Sequence, residues 1–204
     1  IAQAQKLAAE AFGADQTFFS VQGTSGAIMT MILTVVGPGD KIIVPRNVHK
    51  SIMSAIVFAG AIPIFIHPEL DSELGISHGI SPESVERALL DYPDAKAVLV
   101  INPTYFGFVA DLQKIVQIVH NYNIPVIVDE AHGVHIKFHD DLPLSAMQVG
   151  ADMAATSVHK LGGSMTGSSV LNVKEGLVSA KRVQSILSML TTTSTSYPLL
   201  ASLD

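Results

Sequence analysis

The segment PVIVDEAHGVH, residues 125–135, decides how the rest of the sequence is interpreted. Its first part, Pro125–Asp129, is a near-continuous run of Val and Ile that ends on a carboxylate. Apolar runs without polar alternation are typical of strands covered on both faces, as in a parallel sheet. Because a buried carboxylate is costly without a partner, Asp129 is either a hydrogen-bonded structural residue or part of a functional site.

Similar apolar runs recur along the chain and alternate with helical patterns. The other predicted strands are Thr17–Val21, Lys41–Val44, Ile62–Ile66, Ala97–Ile101, Asp152–Ala155 and Ser169–Val173. The predicted helices are Ala2–Phe12, Gly26–Val36, Lys50–Ala59, Pro82–Asp91 and Asp111–Tyr122, and Glu69–Gly79 is the longest predicted loop. This repetition predicts an α/β fold: a three-layer, open, mostly parallel sheet of about seven strands with helices on both faces.

Composition excludes several classes of protein. Of the 204 residues, 48% are hydrophobic and 15% are charged, which is too few charges for a disordered chain. Lys and Arg number 12 against 18 Asp and Glu, giving a net charge of −6, and only three residues are Arg, so we expect no nucleic-acid partner. With no Cys, neither a disulfide framework nor a thiolate metal site can form. A reducing compartment fits this, and we expect a cytoplasmic protein.

The chain contains no stretch that predicts a membrane span or a signal peptide. The most apolar stretch, Ile52–Ile66, is interrupted by Ser54, Gly60 and Pro63 and is too short to cross a bilayer. The first residues contain no basic region followed by an apolar block. They open within a helical pattern and lack an initiator Met, so we expect a fragment of a longer protein.

Ligands of open α/β sheets bind at the carboxyl ends of the strands, so the residues that follow each predicted strand are the first site candidates. GTSG, residues 23–26, has small residues that allow close backbone approach, and the helix after it presents an N-terminus that favours phosphate. An ordinary strand-to-helix turn also explains GTSG, and the motif alone is weak evidence for a phosphate site. The motif matches neither GxGxxG nor the P-loop, so a dinucleotide has no direct support.

Lys160 is a second candidate, because it follows a predicted strand and has Ser157 and His159 before it. A lysine in such a setting can form a Schiff base with a carbonyl compound, although a solvated surface lysine also fits. His49 is equally open between a surface residue and a ring that stacks on a ligand.

Three histidines close in sequence invite a metal interpretation. His132, His135 and His139, with Asp129 or Glu130, are ligand types that zinc accepts. Their spacing is not that of the helical HExxH motif. We therefore expect no metal site, and a metal hydrolase stays an alternative.

Taken together, a series of motifs resembles the Orn/Lys/Arg decarboxylase family in order and spacing. The motifs are GTSG, RNVHKS, NPTYFG, DEAHGVH, LPLSAMQVGAD and SVHKLGG, and the resemblance runs from about Ala8 to the last residue. These enzymes depend on pyridoxal 5'-phosphate (PLP) and have the aspartate-aminotransferase fold, fold type I. The resemblance implies that residues 1–204 are the PLP-binding large domain, without the smaller C-terminal domain. We expect the last strand of the sheet to be antiparallel.

The resemblance also implies roles for the conspicuous residues. Lys160 would bind the cofactor covalently, Asp129 would pair with its pyridine nitrogen, and His49 and Ala131 would pack on the two faces of its ring. Binding of the phosphate would fall to Thr24, Ser25, Ser157 and His159, Gly26 would also contact the cofactor, and His132 and Thr104 would lie near its phenolic oxygen and the substrate carboxylate. The catalytic residues would be Lys160, Asp129, His132 and His49.

The implied reaction is decarboxylation of arginine, lysine or ornithine to the corresponding amine and CO2, as in polyamine biosynthesis. An aminotransferase or lyase of the same fold is the nearest alternative, but such enzymes need a carboxylate-binding arginine. None of Arg46, Arg87 and Arg182 is a clear candidate for that role. A non-catalytic relative is a further alternative, against which the joint presence of Lys160, Asp129 and His49 argues.

Two stretches depart from the family pattern. After Lys160 the family reads HKTL and then LTQ-S, whereas this chain has Leu161, Gly162 and Gly167 in HKLGGSMTGSS. These changes leave the contacts on the phosphate or substrate side open. The tail TSTSYPLL resembles the family's TSPSYLL with its proline moved.

In the family this tail reaches the neighbouring subunit's cofactor. We therefore expect a homodimer or larger homo-oligomer, with 191–200 beside the partner's site and Ser194, Thr195 and Ser196 as candidate contacts. Apolar residues near GTSG, on the Met29 helix and in 188–200 should then look exposed in one copy.

Overall fold

A computed structural model describes all residues, 1–204, as a single seven-stranded sheet with helices packed against it. The strands are β1 (Gln16–Ser20), β2 (Lys41–Pro45), β3 (Ile62–Ile66), β4 (Ala95–Ile101), β5 (Val126–Asp129), β6 (Met153–Thr156) and β7 (Ser169–Val173). The helices are α1 (Ala2–Phe12), α2 (Gly23–Val35), α3 (Lys50–Ala59), α4 (Pro82–Asp91), α5 (Leu112–Asn121), α6 (Val158–Leu161), α7 (Ala180–Leu190) and α8 (Tyr197–Ala201), with a short 3-10 helix at Ile136–Phe138.

The order of strands in the sheet is β1-β7-β6-β5-β4-β2-β3. Strand β7 runs antiparallel to both of its neighbours, and all other pairs are parallel. The predicted sheet of about seven strands, mostly parallel with the last one antiparallel, is confirmed. All residues of β5, β6 and β7 are buried, including the polar residues Thr156, Ser169 and Asn172.

Two hydrophobic cores lie on opposite faces of the sheet. Neighbouring strand residues point to opposite faces, so Ile127 belongs to the core beneath α2, α3 and α7, and Val128 belongs to the core beneath α4 and α5. The first core contains 22 buried residues and the second contains 20, which makes the two outer layers comparable. This confirms the three-layer architecture.

The helix boundaries show where the sequence patterns were incomplete. Helix α2 begins at Gly23, three residues before the predicted start at Gly26, because the Gly23 N–H donates to the Gly167 carbonyl at 2.7 Å and positions the first turn. Helices α6, α7 and α8 were not predicted. The loop at 69–79 is confirmed as irregular chain, with a single bridge between Leu70 and Ser77. No helix has the length and apolar character needed to cross a bilayer.

Candidate active site

A cavity of about 480 Å³ opens where the parallel strands end, at the carboxyl edge of the sheet. Its lining brings together residues from β1–α2, β2–α3, β4, β5 and β6–α6 that are far apart in sequence. Ten of the eleven residues predicted to contact a cofactor line it: Thr24, Ser25, His49, Thr104, Asp129, Ala131, His132, Ser157, His159 and Lys160.

Gly26 is the exception and does not line the cavity. Because α2 begins at Gly23, Gly26 lies beyond the first turn, where its N–H belongs to the helix. A Cβ at this position would lie 3.2 Å from Gln22 Cβ and 3.4 Å from Ser20 Oγ. The glycine therefore allows close packing of the helix start against β1, and its contact with a cofactor stays a prediction.

The first turn of α2 forms one end of the cavity. Thr24 and Ser25 lie at positions where helix N–H groups have no partner within the helix. The Thr24 hydroxyl is in contact with Ser157 Oγ and lies 3.0 Å from Ser169 Oγ. Backbone donors, hydroxyls and the positive end of the helix dipole together form a setting that favours an anion.

Lys160 and His132 meet at the mouth of the cavity, although 28 positions separate them in sequence. Lys160 is exposed on the short helix α6, and its Nζ lies 3.0 Å from His132 Nε2. Burial lowers the pKa of His132, and the positive charges of Lys160 and His49 lower it further. A neutral imidazole can therefore accept a hydrogen bond from the lysine ammonium.

Asp129 is buried at the carboxyl end of β5 and has little hydrogen bonding of its own. The Ala131 N–H, at 3.2 Å, is its one protein donor. Burial raises the pKa of Asp129, against the lowering effects of the Ala131 N–H, Lys160 and His49. The carboxylate faces the cavity with hydrogen-bonding capacity to spare.

The rings of His49 and His159 are held in place by local hydrogen bonds. His49 is the N-cap of α3, and its Nδ1 lies 3.2 Å from the Ser51 N–H and 2.8 Å from Ser51 Oγ. His159 Nδ1 donates to the Ser168 carbonyl at 2.8 Å. Thr104 Oγ1 accepts from the Phe108 N–H at 3.2 Å, which fixes the loop after β4.

Further lining residues were not singled out from the sequence. Asn47, Tyr105 and Phe106 lie within quoted motifs, so their positions next to strand ends were the available signal. Ile28, Ser77, Ile101 and Thr166 also line the cavity, as does Gly167, which the sequence marked only as a departure from the family pattern. Ser77 comes from the loop at 69–79, where no local pattern predicted a site. That loop reaches the cavity because His78 stacks on Phe108 with ring centroids 3.9 Å apart.

The departures from the family pattern have local structural reasons. Leu161 is exposed, so it needs no particular partner. A Cβ on Gly162 would lie 2.8 Å from both the Val158 carbonyl and Val158 Cγ1, so a side chain does not fit there. Gly167 has φ +95°, a conformation that favours glycine, and its carbonyl accepts from Gly23.

The lining of the cavity bears on two alternatives, a metal hydrolase and an aminotransferase. His132, His135 and His139 form no group with the geometry of a metal site, since His135 and His139 are exposed and only His132 lines the cavity. None of the three arginines lines it. Arg182 instead donates to the Thr34 carbonyl at 2.8 Å, and Arg46 lies over the ring of Phe65.

The tail packs in part on its own domain. Leu200 and Leu203 contact the small cluster around Phe19, and the Leu199 carbonyl accepts from Ser168 Oγ. Met189 and Tyr197 are exposed as expected, at 76% and 77%. Met29 is half-buried against the core, so the expected exposure of its helix is not found there.

Comparison with known proteins identifies the family of this chain. The whole chain, residues 1–204, matches the family described as Orn/Lys/Arg decarboxylase, major domain. It is 78% identical to the arginine decarboxylases of Bacillus subtilis and Halalkalibacterium halodurans, over all of this chain and 42% of each relative. Lysine decarboxylase A from Pseudomonas aeruginosa superposes with a TM-score of 0.88 and 31% identity, over 99% of this chain and 30% of that one. The chain thus spans less than half of these relatives, and it belongs to the Orn/Lys/Arg decarboxylase family.

Proposed function

We propose that residues 1–204 are the PLP-binding large domain of a longer enzyme that decarboxylates a basic amino acid, with arginine as the first choice. The observation that carries the proposal is one cavity that holds Lys160, with its Nζ 3.0 Å from His132 Nε2, and the buried carboxylate of Asp129. Arginine is preferred because relatives at 76–78% identity are named arginine decarboxylase.

The residues of the cavity fit PLP by their chemistry. Asp129 has a raised pKa and one backbone donor, which suits a cationic N–H partner that would restore its ionisation. Free N–H groups of Thr24 and Ser25 suit a phosphate, and the small side chain of Ala131 leaves room for a flat ring. A volume of about 480 Å³ falls within the range of cofactor sites.

When bound, PLP supplies an aldehyde for amines and a protonated ring that accepts the electron pair left by departing CO2. Asp129 would keep that ring protonated, and His49 and Ala131 would confine it from two sides. Lys160 would hold the cofactor through Nζ. The neutral imidazole of His132 would accept a hydrogen bond from Lys160 Nζ and help to return a proton to the substrate carbon.

Selection of the substrate side chain needs groups beyond this cavity. Asp129 is the only carboxylate among the lining residues, and it is committed to the cofactor. A guanidinium or ammonium group at the far end of the substrate therefore needs a carboxylate from another part of the full protein or from a second subunit. The absence of a lining arginine weighs against an aminotransferase, which needs one for a substrate carboxylate.

We also propose a cytoplasmic homodimer or larger homo-oligomer, acting in polyamine biosynthesis. Exposed apolar residues support an assembly, because Tyr105 at the cavity mouth is 78% exposed and Met189 is 76% exposed. The proposed contact of the tail with the partner's cofactor involves 191–200, of which Ser194, Thr195 and Ser196 are the polar candidates.

The test uses the full-length protein. We expect a visible absorbance band that disappears on borohydride reduction, with the label on the peptide that contains Lys160. Supplied in turn with arginine, lysine and ornithine, the protein should release CO2 and the corresponding amine, fastest with arginine. A keto acid as the product would instead indicate an aminotransferase, and the lack of any fixed cofactor would indicate a non-catalytic relative.

A further inference from the structure

The carboxyl group of Glu130 is buried beneath the cavity and takes no part in the proposed reaction. Glu130 is 2% exposed and does not line the cavity. Its Oε1 accepts from the Ala146 N–H at 2.8 Å, and its Oε2 accepts from Thr156 Oγ1 at 3.1 Å. Burial raises its pKa to about 7, and no cationic side chain offsets this. A buried acid with two well-placed donors and no ion pair indicates a role in hydrogen bonding and not in charge pairing.

The two hydrogen bonds of Glu130 join the segments that carry the site. Glu130 lies in the turn after β5, between Asp129 and His132. Thr156 is the last residue of β6 and leads into the helix that carries Lys160. The 3.0 Å contact between Lys160 and His132 spans these same two segments. The Glu130 N–H also donates to the Ala155 carbonyl at 3.0 Å, so the side-chain bond to Thr156 adds to a backbone bond between the same two segments.

The packing around Glu130 leaves this turn little freedom. A Cβ on Gly133 would lie 2.6 Å from Glu130 Cγ, so the turn closes directly over the Glu130 side chain. Thr156 is also held from its other side, because Ser169 Oγ donates to the Thr156 carbonyl at 2.8 Å. Since the Ser169 proton is used there, Thr24 is the donor in its 3.0 Å bond to Ser169. The hydrogen bonds thus run from the Asp129 turn to the first turn of α2.

We propose that Glu130 is a positioning residue, which sets the Asp129–His132 turn relative to Lys160 through its bonds to Thr156 and Ala146. Hydrogen bonding performs this role, and charge is not needed. A neutral carboxyl group or an amide still accepts from the Ala146 N–H and donates to the Thr156 hydroxyl, which can turn to accept. The inference rests on the proposed function, because bound PLP is the probe of the geometry.

The experiment compares four variants of the full-length protein: Glu130→Gln, Glu130→Ala, Thr156→Ser and Thr156→Val. Two properties are measured for each variant, namely the dissociation constant of PLP and the pH titration of the visible absorbance of the bound cofactor. Glu130→Gln and Thr156→Ser keep the hydrogen bonds and should match the wild type within about twofold. Glu130→Ala and Thr156→Val leave a buried polar group unpaired and should weaken PLP binding on the order of 10- to 100-fold. Both should also shift the titration.

Two control variants separate positioning from general damage. Ser145→Ala removes a buried hydroxyl next to Ala146 that has no hydrogen-bond partner, so it should change neither property. Val119→Ala makes a cavity in the core on α5, away from the site, and should lower the unfolding temperature without shifting the absorbance titration. If Glu130→Ala does not fold, Thr156→Val still removes the same bond and gives the same test.

The outcomes separate this role from the proposed function. Normal PLP binding and an unshifted titration in Glu130→Ala and Thr156→Val would overturn the positioning role alone. Equal losses in Glu130→Gln and Glu130→Ala would overturn it too, because charge would then be the property that matters. A wild-type protein that binds no PLP would overturn the proposed function, and this role with it.

Discussion

The sheet has an amino edge, where the parallel strands begin, and a carboxyl edge, where they end. Each contains a buried aspartate with a nearby histidine, yet the two aspartates differ in hydrogen bonding. At the amino edge, Asp152 Oδ2 accepts from the Val126 N–H at 2.8 Å and from His120 Nε2 at 2.9 Å. At the carboxyl edge, Asp129 has only the Ala131 N–H at 3.2 Å, and His132 pairs with Lys160 instead. One acid is satisfied by the protein, and the other is left available.

The difference in hydrogen bonding distinguishes a structural aspartate from a candidate functional one more clearly than residue type does. A satisfied buried acid such as Asp152 joins strands and helices, because its donors belong to α5 and β5. An acid that the fold buries without satisfying it costs stability, so a ligand that supplies the missing partner can recover that cost. Only the carboxyl edge has a cavity of about 480 Å³ next to its acid.

Replacement of Lys160 by Ala should have the largest effect on the carboxyl edge. Because the amine is the proposed attachment point, turnover by the full-length protein should fall about 10,000-fold, and borohydride should fix no cofactor to the protein. Lys114→Ala is the control, since Lys114 does not line the cavity and forms a surface pair with Glu83. Borohydride fixation of the cofactor by Lys160→Ala at the wild-type level would refute the assignment.

Asp129→Asn tests whether the unsatisfied acid serves the cofactor. We expect turnover to fall about 1,000-fold, because an amide does not hold the ring proton. The free energy of unfolding of the cofactor-free protein at pH 7 should not decrease, since burial already raises the pKa of this carboxyl. Urea titration and a CO2 assay measure the two quantities. A less stable but fully active variant would make Asp129 a structural residue like Asp152.

The pH dependence of stability should show the cost of burying Glu130. Its pKa is about 7 in the folded protein and ordinarily near 4.5, so the folded state retains a proton that the unfolded state loses. Its contribution to stability is complete below about pH 4.5 and disappears as the pH rises through 7, a change of about 3 kcal/mol.

Glu130→Gln removes this titration while keeping the hydrogen bonds. In urea titrations of the cofactor-free protein, its stability relative to the wild type should increase between pH 4.5 and pH 8. Asp129 titrates in the same direction but is present in both proteins, so the difference reports Glu130 alone. A constant difference across that range would show that Glu130 does not titrate there.

Asp152→Ala should have the smallest effect of these variants, and that effect should be a lower free energy of unfolding. The variant leaves the buried Val126 N–H without an acceptor, which costs about 2 kcal/mol. Turnover should remain within about twofold, because the amino edge lies across the sheet from the cavity. Asp152→Asn keeps an acceptor oxygen and is the milder control. A large loss of turnover in a stable Asp152→Ala protein would remove the distinction between the two edges.

Much of the fold could be predicted from the sequence, because periodicity records burial. The predicted strands Ile62–Ile66 and Ser169–Val173 coincide with β3 and β7, and the others differ by one or two residues at their ends. The predicted helices Ala2–Phe12 and Pro82–Asp91 coincide with α1 and α4. Short helices such as α6 were missed because four residues are too few to show a period.

The site was predicted in part, through residues that stand next to strand ends. The start of α2 was predicted three residues too late, because its first turn is held by a hydrogen bond from Gly23 to Gly167, which is 144 positions away in sequence. Ser77 gave no signal because its loop reaches the cavity through the stacking of His78 on Phe108. The role proposed for Glu130 likewise depends on Ala146 and Thr156, which no local pattern connects to it.

By itself, the sequence determined the layered sheet, the motif residues along its carboxyl edge and the family to which the chain belongs. These properties follow from local hydrophobic periodicity and from residue identities that can be compared one by one. Only the tertiary structure decided which acid is satisfied and which is left available. Hydrogen bonding and burial depend on groups that are distant in sequence, so the sequence places Asp129 at the end of one strand and Asp152 at the start of the next but does not show which of them has its partners.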